Sequence, residues 1–259
     1  GVGADGKMTF KAGTKMGVWN YIEKIDGTDH INMVGQTQKS THAMLQAKFF
    51  ELAKMLNSIP VSSSSDAHIC PGARFADMPA YTEWSHEGLD YCIQNGIMSG
   101  TSATTIAPNG ETTRAQLVQM LYSQAGSPKA TKTSPFTDLT DSWYVDAVNW
   151  AAEKGVVSGT SATTFSPNDV ITRQDMATIL YNYAKNVLDL DVFDTADLTG
   201  YPDYSTVSDY ARTPLSWAVA QGLIYGADNG QGVVTLQPKG DATRAQTAAV
   251  IMRFCQNVL

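Results

Sequence analysis

Three Thr-Arg dipeptides, at Thr113, Thr172 and Thr243, each precede apolar or small side chains at offsets of three, six and seven from the arginine. These are Leu117, Met120 and Leu121; Met176, Ile179 and Leu180; and Thr247, Val250 and Ile251. Such offsets place one stripe on one side of a helix. Between them, Trp143 to Lys154 sets Val145, Val148 and Ala152 near one face, and Gly155 supplies the positive φ that ends many helices. The loops carry Gly, Ser, Thr and Pro, which interrupt regular structure. Each unit therefore predicts helix, turn-rich loop, helix.

The units align as internal repeats. They open Phe75-Ala-Asp77, Phe136-Thr-Asp138 and Tyr201-Pro-Asp203, and Trp84, Trp143 and Tyr210 each stand 12 residues before a glycine, Gly96, Gly155 or Gly222. A second glycine follows four residues later, Gly100, Gly159 or Gly226. Pro108, Pro167 and Pro238 then stand six residues before Arg114, Arg173 and Arg244. Residues 99–109 and 158–168 are nearly identical, SGTSATTIAPN against SGTSATTFSPN, whereas the third repeat carries four extra residues before its proline. Three stripes that cannot be buried singly predict a mainly α fold, with the three helices packed about a pseudo-threefold axis. The repeats themselves are expected to supply the positive-φ positions through their glycines.

The residues before the first repeat read differently. Leu45, Phe49, Leu52 and Leu56 form a helical stripe, and Val18, Ile22 and Ile25 suggest a second, shorter helix, so residues 1–60 are expected to be a small helical segment. Residues 61–74 read as a Ser-rich linker, followed by repeats over 75–130, 131–190 and 191–259.

Thr at each helix start reads as an N-cap, with Gln116 and Gln246 completing capping boxes and Asp175 a shorter substitute. The arginine is unexplained by capping. A cation in the first turn faces the positive end of the helix dipole and costs about 0.3 to 1 kcal/mol. An anion held by guanidinium and free N–H groups would offset this. An internal partner, Asp77, Asp138 or Asp203, would do so equally.

Composition narrows the function. A formal net charge of −7 lacks the Lys and Arg surplus that nucleic acid demands, and no run of 18 apolar residues is present to span a membrane. The start carries no charged-then-apolar leader, which fits a cytosolic protein or a mature or truncated secreted one. Three cysteines, Cys70, Cys92 and Cys255, permit at most one disulfide and lack metal-site spacing, and four histidines are scattered, so no metal is expected. No Gly-x-Ser-x-Gly, His-Glu-x-x-His or phosphate loop appears, nor a repeated carboxylate pair, so an enzyme is not expected, and no cofactor is implied.

The pattern of Phe-x-Asp, an aromatic-led helix, Gly-x-x-x-Gly, Phe-x-Pro and Thr-Arg-Ala-Glu resembles the S-layer homology repeat, in three tandem copies over residues 75–259. The resemblance implies a three-pronged spindle around a three-helix bundle. It also implies non-covalent attachment of a secreted surface protein to a bacterial cell wall. The partner implied is an anionic secondary cell-wall polysaccharide bearing a pyruvate ketal on N-acetylmannosamine. Carried over by position, Arg114, Arg173 and Arg244 would meet the ligand carboxylate. Trp84, Trp143 and Tyr210 would offer aromatic groove walls or else pack in the core. Asp77, Asp138 and Asp203 would accept sugar hydroxyls or brace the loop. Gln116, Asp175 and Gln246 stand where the family has Glu, Ile106 and Leu236 where it has Phe, so unequal sites are expected. The other readings are an adhesive protein that engages a host glycan or protein, and a wall-active enzyme.

Overall fold

The computed structural model describes residues 70–228 and 232–259, and the backbone of three short strands nearer the start. The chain divides into two compact units, residues 1–67 and 68–259.

In the first unit, β1 (Lys11–Ala12), β2 (Trp19–Ile22) and β3 (Ile31–Asn32) form an antiparallel sheet in that order. The short helix expected around Ile22 is thus replaced there by a strand. Trp, Tyr and Ile in the run WNYI favour a pleated backbone, and a three-residue apolar stripe is too short to decide between the two periods. The helix expected over 41–57 lies outside the described residues.

Among its described residues the second unit contains six α-helices: α1 (His86–Gln94), α2 (Arg114–Gln124), α3 (Ser142–Glu153), α4 (Arg173–Asn186), α5 (Arg212–Ala220) and α6 (Arg244–Asn257). The expected pairing of leading and capped helices is present, two per repeat. The predicted stripe positions of α2, α4 and α6 are all buried, and Thr113, Thr172 and Thr243 cap these helices by accepting the N–H three residues on. In α3 the buried residues are Tyr144, Ala147, Val148, Trp150 and Ala151, a face turned about one residue from the predicted one, with Val145 at its edge. Tyr144 accounts for the rotation: its ring is buried and its hydroxyl accepts the Thr140 and Asp141 N–H groups.

The repeats are interlocked. Each leading helix packs against the capped helix of the repeat before it in a cycle: α3 on α2, α5 on α4, and α1 on α6. Three antiparallel bridges, Thr113 with Val170, Thr172 with Asp241 and Glu111 with Thr243, join the segments entering the capped helices. Their ring closes through Ile171 N–H to Thr112 O (2.8 Å), Ala242 N–H to Ile171 O (3.0 Å) and Thr112 N–H to Ala242 O (2.9 Å). Aromatic contacts run from Tyr122 through Trp150, Tyr183 and Phe254 to Trp217, at centroid distances of 5.5 to 6.5 Å, so the three repeats share one core.

The glycines serve two purposes, only one of them foreseen. Gly96, Gly155 and Gly222 have φ of 66°, closing their helices. Gly100 and Gly159 do not have positive φ; they make room instead. A Cβ on Gly159 would lie 2.6 Å from the Phe136 ring and 2.3 Å from the Ser161 carbonyl oxygen. The third repeat's extra residues include a two-stranded hairpin, β4 (Ala227–Asp228) with β5 (Val234–Thr235). Residues 70–74, expected as linker, instead carry a 3-10 turn (Pro71–Arg74) docked on α1.

Candidate functional site

The arginines reach across the repeat boundary. Arg114 donates Nε–H to the Phe165 carbonyl (3.0 Å) and Nη2–H to the Ser158 carbonyl (3.1 Å). Arg173 does the same with Leu236 (2.9 Å) and Tyr225 (2.6 Å), and Arg244 with Ile106 and Ser99 (both 2.7 Å). Each guanidinium therefore fastens the loop of the next repeat around the cycle. Arg173 and Arg244 are buried, at 8% and 4% exposure, whereas Arg114 is half-buried. Burial draws all three below the ordinary arginine value, against the pull of Asp175 foremost on Arg114, with Asp138 a lesser neighbour, of Asp203 on Arg173 and of Asp77 on Arg244. An arginine remains a cation throughout.

The aspartates hold the same loops from the other side. Asp138 accepts the N–H groups of Phe165 (2.9 Å) and Ser166 (2.7 Å). Asp77 accepts those of Ile106 and Ala107 (both 2.8 Å), and Asp203 those of Leu236 (2.9 Å) and Gln237 (2.7 Å). The second residue of each pair, Ala107, Ser166 or Gln237, is left-handed, with φ of 51° to 58°, directly before the proline. Such a conformation costs a non-glycine residue about 1 to 2 kcal/mol, and two charge-assisted bonds hold it in place. No carboxylate lies within 4 Å of these guanidinium groups among the described residues. Arg and Asp act through the backbone they share.

A cavity of about 520 Å³ opens beside Arg114. Its walls are Val156 to Thr160 of the second repeat's loop, Asp175, Thr178, Ile179 and Asn182 of α4, and Tyr210 of the third repeat. Arg114 has two of its nitrogens committed to carbonyls, which leaves Nη1 for a visitor. Tyr210 donates to Asp175 Oδ1 (2.6 Å) and accepts from Gln174 (3.1 Å), while Thr172 donates to Asp175 Oδ2 (2.6 Å). Asp175 thus binds its cap hydroxyl and a tyrosine, where Gln116 and Gln246 reach back to the cap N–H. Its part in the groove was not legible as such; the one signal was an acid at that position in the second repeat alone.

Trp84, Trp143 and Tyr210 are 64%, 51% and 58% exposed, so none is a core residue. Trp84 lines a second cavity, of about 390 Å³, with Tyr81, Glu87, Met252 and Gln256. Trp143 packs edge-on to Tyr144, at 4.9 Å between ring centroids, and lines neither cavity. The structure therefore brings together Arg114 and Tyr210, places Trp84 in another groove, and keeps Arg173 and Arg244 within loop-fastening contacts. Sequence analysis also missed that Cys70, His86 and Asp90 converge, with ligand atoms within 4.8 Å of one another. The available signal was the i, i+4 pair His86 and Asp90 on α1. No helix among the described residues is long and apolar enough to cross a membrane.

The S-layer homology domain family matches residues 74–118, 135–177 and 200–248, together just over half of the chain. An endoglucanase of Bacillus sp. (strain KSM-635) is 34% identical over 173 residues, 66% of this chain and 17% of that protein. The surface-layer 125 kDa protein of Lysinibacillus sphaericus is 29% identical over 200 residues, 76% of this chain and 16% of that protein. The S-layer protein sap of Bacillus anthracis is 27% identical over 183 residues, 70% of this chain and 21% of that protein. The chain spans about a fifth of the length of these relatives. The repeats are a binding module of cell-surface proteins, and on the three family matches this chain belongs to the S-layer homology domain family.

Proposed function

We propose that residues 75–259 hold an anionic, pyruvylated secondary cell-wall polysaccharide containing N-acetylmannosamine, and so anchor a larger extracellular protein to a bacterial cell wall without a covalent bond. The observation that carries this reading is the cavity between the second and third repeats, where Arg114 supplies a cation, Tyr210 an exposed aromatic face, and Asp175 and Asn182 polar groups. Its volume lies in the range that suits a small-molecule or sugar ligand. Arg114 is the anion-binding residue of the proposal, Tyr210 and Trp84 are groove walls, and the three aspartates brace the loops that shape the grooves. Arg173 and Arg244, buried behind their carbonyls, serve the fold first.

Catalysis is not part of the proposal for these residues. The reading is supported by surface-layer relatives that share the repeats with proteins named for enzymatic action, of which the shared part is a small share.

The test is equilibrium binding of the full chain to purified pyruvylated polysaccharide and to the same polymer after removal of the pyruvate. Loss of binding on depyruvylation, together with weakened binding by Arg114→Ala at an unchanged fold, is the expected result. Equal binding to both polymers overturns it.

A further inference from the structure

The first repeat differs from its siblings at the foot of α1. In the second repeat Asn149 Oδ1 accepts the Ser134 N–H (2.9 Å), and in the third Ser216 donates to the Ala196 carbonyl. Asp90 occupies the equivalent position, and its Oδ1 accepts the Gly72 N–H (3.2 Å). A neutral side chain therefore suffices to fasten the lead-in segment. Yet the first repeat buries a carboxylate there, at 4% exposure.

Two groups that the other repeats lack stand beside it. His86, 5% exposed, is replaced by Val145 and Arg212 at the equivalent positions. Cys70 directs its thiol to Asp90 Oδ1 at 3.1 Å. His86 Nδ1 lies 2.8 Å from the Pro79 carbonyl, which can only accept, so Nδ1 carries the proton and Nε2 presents the lone pair. A backbone carbonyl that fixes the tautomer in this way is the usual support of a metal-bound imidazole.

We propose that Cys70, His86 and Asp90 form a binding site for a divalent transition ion of the zinc class. One sulfur, one nitrogen and one oxygen within 4.8 Å of one another are a borderline-soft donor set, suited to zinc or cobalt rather than to calcium or magnesium. Three protein ligands leave a fourth position for water. His86 and Asp90 also line the 390 Å³ cavity, so that position has access to solvent. On binding, the sulfur–hydrogen bond of Cys70 breaks, the thiolate lone pair forms the sulfur–metal bond, and the proton leaves to solvent. The ion would cross-link the segment before the first repeat to α1, a link that the second repeat builds with Asn149 and the third with Ser216.

The experiment uses the full chain, reduced and freed of metal, titrated with zinc alone by calorimetry and with cobalt alone by absorption spectroscopy. Expected are one equivalent bound, release of one proton per ion in proportion to thiol ionisation, and a thiolate-to-cobalt charge-transfer band. Cys70→Ser, His86→Gln and Asp90→Asn should each weaken binding by at least ~10-fold. Asp90→Asn installs the side chain that the second repeat already uses, so it keeps the fold; thermal unfolding without metal checks this. The proposal is overturned by a wild type that takes up neither ion, by cobalt bound without the thiolate band, or by uptake unchanged in these variants and dependent on Cys92 or Cys255.

Discussion

Arg114 and Asp138 grip the same residue from opposite sides: Arg114 donates to the Phe165 carbonyl at 3.0 Å, and Asp138 accepts the Phe165 N–H at 2.9 Å. One residue belongs to the first repeat and the other to the second. The loop between them is fixed by a cation and an anion that never meet, and the arrangement recurs with Arg173 and Asp203 on Leu236 and with Arg244 and Asp77 on Ile106.

Replacing these arginines should therefore cost stability, most at the buried Arg173 and Arg244 and least at Arg114. Hydrogen bonds to a charged group contribute about 1.5 to 3 kcal/mol each. Arg173→Ala removes two and leaves two carbonyls without their donor, so a loss on the order of 3 to 5 kcal/mol is expected. That corresponds to a fall of about 10 °C in thermal midpoint for a unit of this size. Arg114→Ala, at a half-exposed position, should cost less. Calorimetry of the two variants checks the order, and equal midpoints would show that burial of the guanidinium is unimportant.

The two glycine classes should respond differently to alanine. Gly155→Ala forces a side chain onto φ of 66°, at roughly 1 kcal/mol. Gly159→Ala drives a methyl into the Phe136 ring and a backbone oxygen at 2.3 Å, which no rotamer change relieves. A larger loss, about 2 to 3 kcal/mol in the range of overpacked cores, is expected from denaturant titration.

Much of this was legible in residue spacing, because caps, stripes and helix stops are local. Thr113 and Leu117 lie four positions apart, about one turn, so their roles follow from five residues of sequence. The partner of Arg114 was not legible: Phe165 and Ser158 are reached only once the repeats close into a ring, and a backbone carbonyl leaves no mark on side-chain pattern. The same limit hid the pairing of α1 with α6, since periodicity marks which face is buried and not what covers it. Val18, Ile22 and Ile25 misled because a three-residue apolar stripe is too short to fix the period.

Acid should loosen the loops. Burial alone would raise the carboxyls of Asp77 and Asp138, but the backbone N–H groups of Ile106, Ala107, Phe165 and Ser166 outweigh it, and both fall below the ordinary aspartate value. A carboxylate lowered in this way stabilises the fold at and above its unfolded pKa, near 3.9, and the contribution disappears as pH drops through the folded value. Denaturation midpoints should be lost as pH falls below about 4. Asp138→Asn should be weaker than wild type at pH 7, with a shallower decline on acidification. A parallel decline in both proteins would locate the acid sensitivity elsewhere.

The groove that holds Arg114 also holds Asp175, so an anion entering it meets both signs of charge. Asp175→Asn keeps an oxygen for the Tyr210 hydroxyl and removes the repulsion. If the ligand is bound chiefly as an anion, affinity for the pyruvylated polymer should rise about 2- to 5-fold, the size of a partly exposed charge interaction, and the gain should shrink with added salt. Weaker binding would instead assign Asp175 to a sugar hydroxyl. A second measurement needs no glycan. The Tyr210 phenol is pushed up to about 12, by burial first and then by its bond to Asp175. In Asp175→Asn the charged acceptor is gone, and Tyr210 should ionise at lower pH in an ultraviolet titration. A titration identical to wild type would mean that the 2.6 Å contact between the two side chains does not persist in solution.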